Sequence, residues 1–376
     1  MRLLGAILLV VACRPAAAVS EVVDFGSNPG ALAMFEHVPS GVSGPMPLVV
    51  VLHGCAQDHG YAEQVGLVQL AERSGVALVI AEQTSANNAS RCFNWYEAGD
   101  IARDRGEALS LAQMVATMKD RHDIDPSRVF VTGLSAGGAM TAVMLATYPD
   151  VFAAGAIFAG VSYRCGTGLS AAVTCMTNGS GATADAMAAR VVEAASWDGP
   201  RPRLQVWAGD ADTTVAPQNA NDLVAQWRVV HALPEQPTAS DTLGPARRDR
   251  WMVDGTSVVE RLAIPGIGHG TPVDPGAGHC GTAGAFVLDE DLCASAAALT
   301  FFGIDPGVTG AEGEGEGEPL GCACASFRGG AGSGIAALLV ALLSARTFAR
   351  NARRWPRLGM RHQAAAVGAG QARLVG

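Results

Sequence analysis

Hydrophobic positions in this chain fall into short continuous runs separated by longer amphipathic stretches. Leu48-Val49-Val50-Val51-Leu52 is apolar throughout, the pattern of a strand buried on both faces. Residues 61–74 read as a helix, and Val76-Ala77-Leu78-Val79-Ile80 as the next strand. A second helix is expected over about residues 106–121, where Leu109, Met114, Val115 and Met118 share one face. Arg128-Val129-Phe130-Val131-Thr132 reads as a buried strand, and residues 136–148, rich in Ala, Met and Leu, as a helix closed by Pro149. Strands follow at 154–158 and 204–207, a helix at about 218–231, and a strand at 257–264. This alternation predicts an α/β architecture, a mostly parallel central sheet with helices on both faces. The chain has no internal repeat.

The two ends break the pattern. Met1-Arg2 followed by an apolar run to Ala12, and then Ala16-Ala17-Ala18, reads as a secretory signal peptide over residues 1–18. The rival reading is a lipoprotein signal, with Val10-Val11-Ala12 before a lipidated Cys13. Either way the protein is expected to be exported. The folded body is expected over residues 19–305, and Glu312-Gly313-Glu314-Gly315-Glu316-Gly317-Glu318 marks a solvated linker within 306–328, which also carries Cys322 and Cys324. An uncharged stretch begins at Gly329 and an Arg cluster ends at Arg354, as expected of a membrane or sorting segment, with a disordered tail over 355–376. The bland alternative for the whole tail is disordered Ala/Gly-rich chain. The order of Cys motif, apolar stretch and Arg cluster resembles the C-terminal sorting signals of some bacterial surface proteins, particularly the MYXO-CTERM type, which implies surface display or release. Contact with a membrane is expected only through this tail.

Charge supports that division. The 376 residues carry 26 basic and 35 acidic side chains, net -9, which argues against a nucleic-acid partner. Eight of the basic but only four of the acidic residues lie beyond residue 305, leaving net -13 in the body.

Export also changes what the cysteines mean. Cys55, Cys92, Cys165, Cys175, Cys280 and Cys293 form an even set in an oxidising compartment, where disulfides are expected. Six cysteines allow 15 connectivities. Nearest-neighbour pairing (Cys55–Cys92, Cys165–Cys175, Cys280–Cys293) is the simplest. No Cys-x2-Cys or His-x3-His spacing occurs, so no metal site is expected.

The chemistry concentrates at Gly133-Leu134-Ser135-Ala136-Gly137, between a predicted strand and a predicted helix. In that context Gly-x-Ser-x-Gly is a nucleophile elbow, a strained turn that exposes the serine hydroxyl. A serine needs a base, and the base needs an acid to orient it. After the 204–207 strand stands Gly209-Asp210-Ala211-Asp212, where Asp212 is favoured as the acid and Asp210 as a loop-structuring residue. After the last strand stands Gly268-His269-Gly270, with His269 as base and His279 as runner-up. The backbone N–H groups of Ala136 and of Cys55, in the loop after the 48–52 strand, are the expected oxyanion donors. Cys55 as a thiol nucleophile is the discounted alternative. Trp95, Tyr96 and Trp251 are candidates for lining a cleft, or for the core.

Six segments together resemble the polyhydroxybutyrate depolymerase-type esterases, relatives of feruloyl and acetylxylan esterases. They begin with residues 47–57 around His53-Gly54-Cys55-Ala56-Gln57, Cys92-Phe93-Asn94-Trp95-Tyr96, and residues 133–140. Asp210-Ala211-Asp212-Thr213-Thr214-Val215, residues 268–274 and Cys280-Gly281-Thr282-Ala283-Gly284 complete the set, in the family's order. The resemblance implies an exported α/β-hydrolase with Ser135, Asp212 and His269 as triad and no cofactor. An ester is expected as substrate, and the chain is expected to act as a monomer. Two departures stand out. A membrane-type tail replaces the family's polymer-binding domain, and Trp207-Ala208-Gly209 replaces its usual Trp-His-Gly. The expected activity is hydrolysis of hydroxyalkanoate polyester or oligomer bonds through an acyl-enzyme. Feruloyl or acetylxylan esterase activity is the alternative, and a non-catalytic surface binding protein the remote one.

Overall fold

The computed structural model describes residues 18–276 and 280–307. The expected leader up to residue 17 with Cys13, the runner-up His279, and the linker and tail from 308 onward lie outside the described residues.

The elements in chain order are β1 (Ser20–Val22), β2 (Ala33–His37), β3 (Met46–Leu52), α1 (Tyr61–Gln64), α2 (Leu67–Ser74), β4 (Ala77–Glu82), α3 (Gly106–Arg121) and β5 (Ile124–Leu134). There follow α4 (Ala136–Thr147), β6 (Ala154–Phe158), α5 (Leu169–Asn178), α6 (Ala184–Glu193), β7 (Arg203–Gly209) and α7 (Gln218–Val230). The last are β8 (Ala239–Leu243), β9 (Ala246–Val253), β10 (Thr256–Ile264), β11 (Thr271–Val273), β12 (Val287–Asp289) and α8 (Ala294–Phe301). Ten strands make one sheet in the order β1-β2-β4-β3-β5-β6-β7-β10-β9-β8. Its middle, from β4 to β10, is parallel throughout, and antiparallel strands extend both edges.

Every residue of β3 is buried, and the pleat sends alternate side chains to opposite cores. Leu48, Val50 and Leu52 join Met114 and Met118 of α3, Met140 and Met144 of α4 and Trp227 of α7. Val49 and Val51 join Tyr61, Leu70 and Leu299 on the other face. Each such side chain contributes about 1.5–3 kcal/mol of burial, so the continuous apolar runs commit the central strands to a two-sided sheet.

Residues 61–74 do not form one helix. Gly66 adopts φ +77, and a Cβ there would meet Gly281 N at 2.6 Å and Cys280 Cβ at 2.7 Å. The 280–282 segment presses onto this point, where Thr282 N–H donates to Gln64 O at 2.7 Å. The periodicity on either side of Gly66 is helical, but the close approach of another chain segment imposes the break.

Candidate active site

The parallel strands deliver their C-terminal ends to one edge of the sheet, and the chemical groups collect there. β5 ends at Leu134 and α4 begins at Ala136, leaving Ser135 alone in the turn at φ 56, ψ -116. A non-glycine residue held there costs on the order of 1–3 kcal/mol. The turn is tied down at both sides: Ser135 N–H donates to Phe158 O at 2.9 Å, and Ser135 O accepts from Ala139 N–H at 2.8 Å. Gly137 is required by proximity, since its Cβ would lie 2.2 Å from Leu52 O and 2.5 Å from His53 O. That contact seats the start of α4 against the loop leaving β3.

Asp212 and His269 come from the loops after β7 and β10, which are sheet neighbours. Asp212 is buried. Its Oδ1 accepts from Thr214 N–H at 2.8 Å and Val215 N–H at 2.9 Å, and its Oδ2 meets His269 Nδ1 at 2.7 Å. An imidazole that donates Nδ1–H to this carboxylate keeps its Nε2 lone pair free. Asp210 is exposed and braces the turn before His269, its Oδ1 accepting from Gly266 N–H at 2.5 Å. Strand β11, which follows His269, is anchored by Thr271 Oγ1 to the buried Tyr61 hydroxyl at 2.8 Å. The Phe286 ring lies edge-on to His269 at 6.0 Å. Among the described residues, Ser135 Oγ forms no hydrogen bond to the His269 ring.

The loop after β3 is held from several directions. Cys55 is bonded to Cys92, Ala56 N–H donates to Ser90 O at 2.9 Å, and Gly54 N–H donates to Gln57 Oε1 at 2.8 Å. Buried His53 accepts from Gln83 N–H on Nε2 at 3.0 Å, which leaves Nδ1–H to donate to Gly54 O at 2.6 Å. Burial pushes the His53 imidazole below its ordinary range, which favours this neutral form. Neither Cys55 N–H nor Ala136 N–H meets an acceptor among the described residues. The other two expected pairings, Cys165–Cys175 and Cys280–Cys293, are also formed. They pin the last turns of α5 to the preceding loop and the segment after His269 to the start of α8.

The aromatic candidates separate. Trp251 is buried in β9 with its indole N–H donating to Pro234 O at 3.1 Å, a core residue of the antiparallel extension. Trp95 is also buried, edge-on to Tyr96 at 5.5 Å. Tyr96 is half-buried and its hydroxyl accepts from Asn88 Nδ2 at 3.3 Å. The sequence alone does not disclose a buried polar network behind the Cys55 loop, made by His53, Gln83, Asn87 and Glu107. Nor does it disclose Phe286 beside His269. No spacing signals these residues, because their placement is set by distant elements. Among the described residues, no three His, Cys, Asp or Glu side chains converge as metal ligands.

The site assembles a serine in an elbow, a carboxylate–imidazole pair and two unengaged N–H groups at one sheet edge, the parts needed for acyl transfer. Comparison with known proteins accords with that chemistry. The chain is 48% identical over 302 residues to poly(3-hydroxyalkanoate) depolymerase C of Paucimonas lemoignei, covering 79% of this chain and 73% of that protein. It is 32% identical over 271 residues to an acetylxylan esterase of Coprinopsis cinerea, covering 69% of this chain and 70% of that protein. Among solved structures, the acetyl xylan esterase from Aspergillus awamori superposes with a TM-score of 0.63 at 28% identity, over 67% of this chain and 94% of that one. The α/β-hydrolase architecture expected from the sequence is thus the observed one. The family described as esterase PHB depolymerase matches residues 15–247, a span that includes the Cys55 loop, the Ser135 elbow and Asp212. The chain is a carboxylic-ester hydrolase and belongs to the esterase PHB depolymerase family.

Proposed function

We propose that this esterase cleaves the ester bonds of hydroxyalkanoate polyester or its oligomers, with Ser135 as nucleophile, His269 as base and Asp212 as its orienting acid. The observation that carries the catalytic assignment is the Asp212–His269 bond of 2.7 Å on the sheet edge that bears the strained Ser135. Ser135 Oγ attacks the ester carbonyl while its proton passes to His269 Nε2. The carbonyl oxygen, now an oxyanion, takes hydrogen bonds from Cys55 N–H and Ala136 N–H. Collapse breaks the ester C–O bond, and His269 returns the proton to the leaving alkoxide. Water, deprotonated by the same imidazole, then attacks the acyl-enzyme and frees the acid and Ser135. None of these steps needs a cofactor.

The substrate class is carried by the similarity to the Paucimonas lemoignei depolymerase. The acetylxylan esterases and a feruloyl esterase B of Talaromyces stipitatus, 33% identical over 272 residues, supply the second reading. Assaying 3-hydroxybutyrate oligomers, acetylated xylan and methyl ferulate in parallel separates the two. The highest kcat/KM is expected on the oligomers, and a preference for acetylated xylan or methyl ferulate would replace the first reading with the second.

Three disulfides accord with an oxidising, extracellular compartment. Among the described residues no helix is long and apolar enough to cross a membrane. We infer that residues 1–18 export the protein, that residues 329–354 provide any attachment to the membrane, and that the body over 19–305 acts as a monomer. Intact-mass measurement of the exported protein tests both processing events, and sedimentation tests the monomer.

A further inference from the structure

We propose that Glu107 is a positioning residue for the oxyanion site, setting the Cys55 N–H through Gln83 and His53. Glu107 lies in the first turn of α3, fully buried, where an isolated carboxylate would be costly. Three donors converge on it: Gln83 Nε2 at 2.5 Å and Asn87 Nδ2 at 3.0 Å on Oε1, and Asn94 N–H at 2.8 Å on Oε2. Among the described residues, no cationic side chain forms a salt bridge with Glu107. Asp100 Oδ1 accepts from Glu107 N–H at 3.0 Å. Two routes lead from here to Cys55. In one, the Gln83 side chain, held by Glu107, also donates to Cys92 O at 3.0 Å, and Cys92 is the disulfide partner of Cys55. In the other, Gln83 N–H donates to His53 Nε2, and His53 Nδ1–H donates to Gly54 O. The Gly54 carbonyl and the Cys55 N–H belong to one planar peptide group, so holding the oxygen on one side aims the N–H to the other. The loop after β4 and the loop after β3 are thereby fixed to the single buried carboxyl group of Glu107. Its role is to aim a donor without touching substrate.

The inference rests on the reading of Cys55 N–H as an oxyanion donor. Its test compares wild type with Glu107→Gln, Glu107→Ala and Gln83→Leu, the last removing the side-chain bridge while leaving the backbone donor to His53. Each variant that folds is assayed with p-nitrophenyl butyrate and with an aryl trifluoromethyl ketone, whose hydrated adduct presents a tetrahedral oxyanion. The expected result is a kcat lowered about tenfold or more, KM within about threefold of wild type, and ketone affinity falling in proportion to kcat. Glu107→Gln, which keeps one acceptor oxygen, should lose less than Glu107→Ala. If Glu107→Ala does not fold, Gln83→Leu and Glu107→Gln carry the same comparison. Unchanged kcat in the folded variants, a kcat loss without loss of ketone affinity, or a loss confined to KM would overturn the inference. A wild-type protein that neither turns over the ester nor binds the ketone would instead overturn the catalytic reading beneath it.

Discussion

Asp212 and His269 face each other at 2.7 Å, and the second oxygen of the same carboxylate is held by the N–H groups of Thr214 and Val215. The carboxylate therefore cannot rotate away from the ring without abandoning two backbone donors. Replacing Asp212 by Asn keeps the shape but offers an amide that favours the wrong imidazole tautomer. A kcat loss of about 10³–10⁴-fold is expected, with Tm close to that of wild type. Steady-state kinetics and a thermal melt check this.

The elbow tolerates no side chain at Gly137, where a Cβ would lie 2.2 Å from Leu52 O. Gly137→Ala should destabilise by about 1–3 kcal/mol and lower kcat, because relief requires Ser135 or the Cys55 loop to move. Denaturant unfolding and kcat together measure both effects.

Loss of the Cys55–Cys92 bond opens a loop closed across a sequence separation of 37 in the unfolded chain. The double replacement Cys55→Ala with Cys92→Ala should cost about 2–4 kcal/mol and reduce kcat through the loosened donor. A variant with lower Tm but wild-type kcat would show that the bridge serves stability alone.

The buried network predicts opposing pH dependences. Burial raises the Glu107 carboxyl from its usual 4.5 to about 8. Its folded-state contribution is complete below 4.5 and is lost as pH rises through 8. His53 is shifted the other way, below its usual 6.5, so its contribution is present above 6.5 and is lost as pH falls. Glu107→Gln should therefore lessen the fall in Tm between about pH 5 and pH 9, read by melts across that range.

How far the sequence discloses this protein depends on which force places each residue. The parallel strands are legible because burial on both faces forces continuous apolar runs such as 48–52, and α3 matches its expected span of 106–121. The edge strands are not legible. β8 reads Ala-Ser-Asp-Thr-Leu and β9 carries Arg247, Arg248 and Arg250, and they are held by backbone pairing and by ion pairs such as Arg248–Asp241 at 2.7 Å. The helices α5 and α6 also escape notice, being short and exposed on one face. Ser135, Asp212 and His269 stand out because acyl transfer demands those residue types after those strands. Glu107 does not, since nothing local distinguishes a buried glutamate in a first helical turn from a solvated one.

The most direct test of the central claim is covalent labelling of the intact protein with a fluorophosphonate, followed by peptide mapping. One phosphonyl group per chain on Ser135, absent in Ser135→Ala and greatly slowed in His269→Ala, is the predicted result. Labelling at another residue, or a folded and ester-hydrolysing wild type that does not label, would contradict it.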